Sequence, residues 1–162
     1  MPEPKDARRI AVRPAKPEDR EFVLATAARL ADFGPPPWRT VVEVVAGESR
    51  AIQAFFESAP AATALLIAED SRARPLGFAY LETQLDFFSR QPHAHLAELA
   101  VAREAEGLGA GGALLSASED WARGQGYSVL TLNVFDGNRH AREVYERRGF
   151  SPEYIRYIKP LG

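Results

Sequence analysis

Between residues 107 and 112 the chain reads Gly-Leu-Gly-Ala-Gly-Gly, four glycines in six positions, just ahead of an apolar stretch with helical spacing. Few folds place so little side chain at the start of a helix, because each glycine in a helix interior costs about 1 kcal/mol relative to alanine. Two needs fit. One is close passage of a helix against a sheet. The other is approach of backbone amides to a phosphate-bearing ligand, since the first amides of a helix have no intrahelical partners and sit at its positive end. A Walker loop is excluded, because no Lys-Ser/Thr pair follows the glycines. Gly107, Gly109 and Gly112 do satisfy GxGxxG, the dinucleotide pattern. Its context is wrong: five residues separate Val101 from Gly107, and the acid Asp136 lies 24 positions beyond Gly112 rather than about 20.

The flanking segments define the class. Residues 9–15, "RIAVRPA", alternate apolar and polar as a half-buried strand does. Residues 16–34 read as a helix, with Pro17 in its first turn, Glu18 and Asp19 at its positive end and Gly34 as its stop; Phe22, Ala25, Leu30 and Phe33 mark its apolar face. "GPPPW" is a stiff connection that no helix or central strand absorbs. A second helix is expected over residues 48–58. Residues 62–70 and 75–84 read as a hairpin of two strands, and residues 95–101 as a third strand. A helix over 113–123 ends at Gly124, a buried strand covers 127–135, a short helix is stopped by Gly149, and residues 153–160 read as a closing strand. This order gives an α/β chain built as an α+β mixed sheet with helices packed on it. No repeat or linker divides it, so one domain is expected over residues 1–162.

Composition narrows the functions. A net charge of −2 gives no basic footprint for nucleic acid, and no nucleic-acid partner is expected. The absence of cysteine excludes disulfides, thiolate metal sites and cysteine nucleophiles. His93, His95 and His140 are too scattered for a convincing metal site, so no metal is expected. No apolar run reaches membrane-spanning length and "MPEPKDARR" lacks a signal-peptide core, which points to a cytoplasmic protein without a membrane partner.

Three pieces, in order, carry a likeness. A strand ending Leu99-Ala100-Val101 leads through a loop into Gly107, Gly109 and Gly111 and then "ALL". The strand "LTLNV" follows. Then Asn138, Ala141, Tyr145, Gly149 and Phe150 stand at N-x-x-A-x-x-x-Y-x-x-x-G-F spacing. Together they resemble the GNAT superfamily of acetyl-CoA-dependent N-acyltransferases over residues 95–160, with support from "IAVRPAKPED" near the start. The resemblance implies a central, mostly antiparallel sheet with a splayed strand pair, flanked by helices, and acetyl-CoA as co-substrate. It implies an enzyme that acetylates a primary amine of a small molecule or peptide by direct attack. A non-catalytic acyl-CoA sensor of the same fold and, further off, a dinucleotide-binding oxidoreductase are the alternatives. Many relatives dimerise, so a homodimer is compatible with the sequence.

The same resemblance assigns roles. Gly107, Leu108, Gly109, Ala110, Gly111 and Gly112 would cradle the coenzyme pyrophosphate. Leu99, Ala100 and Val101 would run along the pantetheine arm, the Leu99 N–H polarising the thioester carbonyl. Asn133 joins the coenzyme site, and Asn138 either holds the pantetheine or caps the last helix. Tyr145 would lie at the coenzyme sulfur and protonate the departing thiolate. Glu106 departs from the pattern, since relatives usually carry Arg or Gln there. It is expected to point outward, with Arg103, Arg139 or Arg142 supplying positive charge. An amine of pKa ~10.4 is almost wholly protonated at pH 7, so a base is needed. Glu98 is the first candidate, directly or through water, and His95, on the opposite strand face by parity, the second. Glu82 and Asp86 would attract a cationic acceptor, in a pocket lined by Trp38, Phe87, Phe88 and Tyr157 and built in part by the C-terminal strand.

Overall fold

The computed structural model describes residues 9–162. Its centre is a five-stranded sheet in the order β1-β2-β3-β4-β5. The strands are β1 (Ala11–Pro14), β2 (Thr63–Glu69), β3 (Pro75–Leu85), β4 (Pro92–Val101) and β5 (Leu130–Leu132). The first four pair antiparallel and only β4 and β5 run parallel. A GxGxxG dinucleotide site belongs to a parallel, doubly wound sheet, which this is not.

Helices cover both faces. On one side lie α1 (Arg20–Ala27), extended by a 3-10 turn over Ala28–Ala31, and α2 (Val41–Ser58). They enclose Val23, Ala27, Ile52, Leu65, Ile67 and Phe78. On the other side α3 (Ala110–Gly124) sets Leu114 and Leu115 against Ala79, Leu81 and Leu96, and Val144 and Tyr145 of α4 (Arg139–Arg147) pack on the same cluster. Each fully buried Leu or Phe contributes about 1.5–3 kcal/mol, so these two layers hold the sheet in place.

Several sequence expectations change. The apolar face of α1 centres on Val23 and Ala27, while Ala25 is exposed. Helix α2 starts seven residues earlier than expected, at Val41. A reciprocal cap fixes that start: the Glu43 amide donates to Thr40 Oγ1 at 3.1 Å, and the Thr40 amide donates to Glu43 Oε2 at 2.8 Å. Its β-branched run, Val41-Val42-Glu43-Val44-Val45, disguises the helix in sequence. Strand β5 shrinks to three residues. The closing strand does not form: residues 151–162 carry no regular structure and Tyr157 is 87% exposed. In "EYIRYIKP" apolar residues occupy both parities, so no one face of a strand there would be apolar.

Among the described glycines, Gly77 has the closest neighbours. A Cβ there would lie 2.7 Å from the Ala100 carbonyl oxygen and 3.1 Å from Val101 Cα, both backbone atoms. Gly77→Ala therefore loses about 2 kcal/mol of stability by overpacking, read as a lower urea midpoint at unchanged slope. An unchanged midpoint contradicts this.

Candidate active site

Strand β4 has a free edge where β5 ends. The parallel pairing covers only Ala94, His95 and Leu96, opposite Leu130, Thr131 and Leu132. Beyond it β4 continues to Val101 with β3 on one side only. Ala102 donates to the Leu76 carbonyl, which fixes the alternation: Val101 and Leu99, paired with Gly77 and Ala79, turn their amides and carbonyls away from β3 into the opening. Ala100 turns its backbone groups to β3.

The glycine segment lies at the far end of that opening. Gly109 ends the loop with φ +97° and carries no side chain to cap α3, whose first internal bond is Ala113 N–H to the Gly109 carbonyl. The amides of Ala110, Gly111 and Gly112 precede that bond and sit at the helix's positive end. A Cβ at Gly107 or Gly112 would meet nothing within 4 Å, while one at Gly111 would touch Val101. Packing therefore does not require the missing side chains at Gly107 and Gly112, and unpaired amides at a helix start fit a pyrophosphate group. Leu108 is exposed beside the loop.

Glu98 is not the surface residue that a strand of alternating pattern would give; it is 4% exposed and its Oε2 has no hydrogen-bond partner. A bulge sets its direction. Leu81 pairs with Leu96 and Tyr80 with Glu98, leaving Ala97 as an extra residue. Strict parity would put His95 and Glu98 on opposite faces. The bulge corrects that: Glu82, paired with His95, and Tyr80, paired with Glu98, share a face, so His95 and Glu98 share it too. Burial, reinforced by the nearby charges of Glu48 and Glu82, pushes the Glu98 carboxyl up to about 9. His95 is buried as well, and burial lowers its pKa despite Glu82. Its Nδ1 lies 2.8 Å from Thr131 Oγ1 on β5, which also meets His93 Nε2 at 3.1 Å.

Tyr145 lies across the sheet from Glu98, within the α3-side cluster. Its ring meets Phe150 edge-on at 5.7 Å, and burial raises its pKa, which keeps the phenol protonated at neutral pH. Asn138 caps α4, accepting from the Ala141 amide at 3.2 Å. Asn133 is exposed just past β5. Asp86 is spent in its own turn, accepting from the amides of Phe88 and Ser89. Trp38, Phe87 and Phe88 are exposed like Tyr157, so the expected aromatic lining does not form. Instead Phe33, after α1, stacks on Phe135, after β5, at 4.9 Å.

Two arginines absent from the sequence reading shape the mouth of the opening. Arg29 donates to the Val101 carbonyl and pairs with Glu106, and its Nε reaches Asp32 at 3.0 Å. Glu106 thus points outward as expected, but held by a cation from α1's 3-10 extension. Arg103 is tied to Asp32 at 3.0 Å and Arg142 to Asp136 at 2.7 Å. Among the described residues Arg148 reaches the glycine segment: its Nη2 donates to Ser116 Oγ at 2.7 Å and lies 3.4 Å from the Gly112 carbonyl. Both contacts span more than 30 residues of sequence, which leaves no local signal.

No helix among the described residues is long and apolar enough to cross a membrane. Comparison with known proteins gives a consistent picture. The profile of the acetyltransferase (GNAT) family matches residues 29–150. The uncharacterised N-acetyltransferase YhfO of Bacillus subtilis (strain 168) is 37% identical over 89 residues, and the match spans 55% of this chain and 59% of YhfO. A GCN5-related N-acetyltransferase from Ralstonia eutropha JMP134 shares the fold with a TM-score of 0.72 at 19% identity, covering 94% of this chain and 99% of that one. An aminoglycoside N-acetyltransferase solved in complex with CoA gives 0.66 at 18% identity, over 94% and 96% of the two chains.

Proposed function

The chain belongs to the acetyltransferase (GNAT) family, and from that premise we propose that it moves the acetyl group of acetyl-CoA to a primary amine, with Glu98 as base and Tyr145 as acid. One observation carries this reading: the free edge of β4 at Leu99 and Val101 runs between Glu98 on one face of the sheet and Tyr145 on the other. A base and an acid so placed serve opposite sides of one reacting carbon.

Acetyl-CoA supplies an activated thioester. The amides of Ala110, Gly111 and Gly112 bind its pyrophosphate, and Leu99 and the Val101 amide pair with the pantetheine arm, the Val101 carbonyl being held by Arg29. The Leu99 N–H donates to the thioester oxygen as that oxygen gains charge. Glu98 takes a proton from the attacking nitrogen as the C–N bond forms. Tyr145 returns a proton to sulfur as the C–S bond breaks, so the charge balances. Asn138 serves the site by setting the α4 start that places Tyr145. We assign the activity to the cytoplasm and to a small-molecule or peptide amine, with a homodimer compatible with this reading.

Titration calorimetry tests it. Binding of acetyl-CoA in the micromolar range, with none of NADPH, is the expected result; NADPH binding alone overturns it. The same titration checks the loop. Glu106→Arg removes a carboxylate beside the pyrophosphate and releases Arg29, so acetyl-CoA binds up to about fivefold tighter, the ~1 kcal/mol of an exposed pair. Weaker binding contradicts it.

A further inference from the structure

Beneath α2 three carboxylates share one region without a cation. Glu82 and Glu98 lie on one face of the sheet, brought there by the bulge at Ala97. Glu48 sits on the buried stripe of α2, one turn from Val44 and one turn from Ile52, and so turns toward that face. None of the three belongs to an ion pair among the described residues, although nine other carboxylates do. Glu82 accepts only the Gln84 side-chain amide, at 2.8 Å. Glu98 is buried with Oε2 unpartnered. Buried carboxyl groups without partners are costly and persist where something else completes them. His95 does not: its Nδ1 is turned to Thr131, and burial favours its neutral form. A metal ion does not fit either, because no three acidic or histidine side chains among the described residues are close enough to hold one. The partner is longer than an ion.

We propose that the acceptor is an aliphatic diamine, its reacting nitrogen at Glu98 and its second ammonium group held by Glu48 and Glu82. This rests on the acyl-transfer reading above and adds the substrate class to it. The separation of roles is what three carboxylates allow and one does not. Glu98 must exchange a proton with the reacting nitrogen, so it cannot also serve as a fixed counter-ion. Glu82 and Glu48 are only partly buried and keep that second task. A second positive charge also brings the acceptor in against Glu98 in its ionised form, which a single apolar tail would not favour.

The test compares 1,4-diaminobutane with n-butylamine and 4-aminobutyrate at fixed acetyl-CoA, reading kcat/KM. The diamine should exceed butylamine at least tenfold, and 4-aminobutyrate should be slowest. Glu82→Gln and Glu48→Gln should each pull the diamine-to-butylamine ratio toward one. Melting of the protein without coenzyme gives a second reading: the diamine should raise the midpoint and butylamine should not. Equal rates for the two amines, or equal effects on melting, overturn the inference. Failure of acetyl-CoA to bind overturns the acyl-transfer reading instead, and the melting comparison still decides the diamine question there.

Discussion

Tyr145→Phe will lower kcat at least about 100-fold while leaving acetyl-CoA affinity unchanged. General acid catalysis supplies 10²–10⁴-fold, and the substitution removes the hydroxyl alone. The ring's work is structural: it packs with Val144 and Phe150 against the α3 layer, and Phe keeps that packing. No described residue accepts or donates at the hydroxyl, so its loss strands no buried partner. Urea denaturation should therefore give the same midpoint for both proteins. Burial raises the phenol's pKa, so the acid stays loaded through the neutral range and the variant's defect should not depend on pH between about 6 and 8. A kcat within threefold of the parent would make Tyr145 a packing residue. A protein that binds acetyl-CoA but turns over no amine, before or after substitution, would be a sensor.

What sequence made legible, and what it hid, divides along locality. The glycine segment, the Asn138 cap and the position of Tyr145 are local patterns, each set by a helix end or a helical repeat, and they stand in the fold where local rules place them. The β4 edge was legible through the family resemblance alone, which implies a splayed strand ending at Leu99-Ala100-Val101. The face of Glu98 was not. It depends on one extra residue, Ala97, opposite β3, and a bulge of one alanine leaves no mark in the residue pattern of the strand. The same slip moved His95 from the far face to the near one. The start of α2 was readable in principle, since Thr40 and Glu43 form a capping pair, but the valines after it argue for a strand. Arg29, Arg148 and Glu48 act at long range. Arg29 reaches Val101 and Glu106 across more than 70 residues, and only the folded chain brings them together. The C-terminal strand failed for the opposite reason: a strand-like composition is no use without a neighbour, and β5, at three residues, offers little edge.

Glu98→Gln will change activity and stability in opposite directions. The carboxyl stands at about 9, with Glu48 on α2, Glu82 on β3, His95 on β4 and the Tyr80 phenol as the titratable groups facing it. At that value its proton affinity is close to that of an alkylammonium at ~10.4, so transfer between them is nearly balanced. Replacing it by an amide removes the acceptor and should cost at least about 100-fold in kcat/KM. The acid limb of the pH–rate profile should move as well, from near 9 toward ~10.4, because the variant can use only amine that is already neutral. Stability follows from the same proton. The folded value lies above the unfolded one of 4.5, so the folded state binds the extra proton between them. That favours folding most below pH 4.5 and loses its advantage as pH rises to about 9. At pH 7, keeping the carboxyl protonated in the fold costs on the order of 3 kcal/mol relative to the reference of 4.5. Gln carries no such cost, so the variant should be more stable than the parent at pH 7–9 and equal to it near pH 4. Urea midpoints across that range check the sign. A variant that loses both activity and stability would mean that Glu98 is charged and paired in the fold, and the assignment of the base would fall with it.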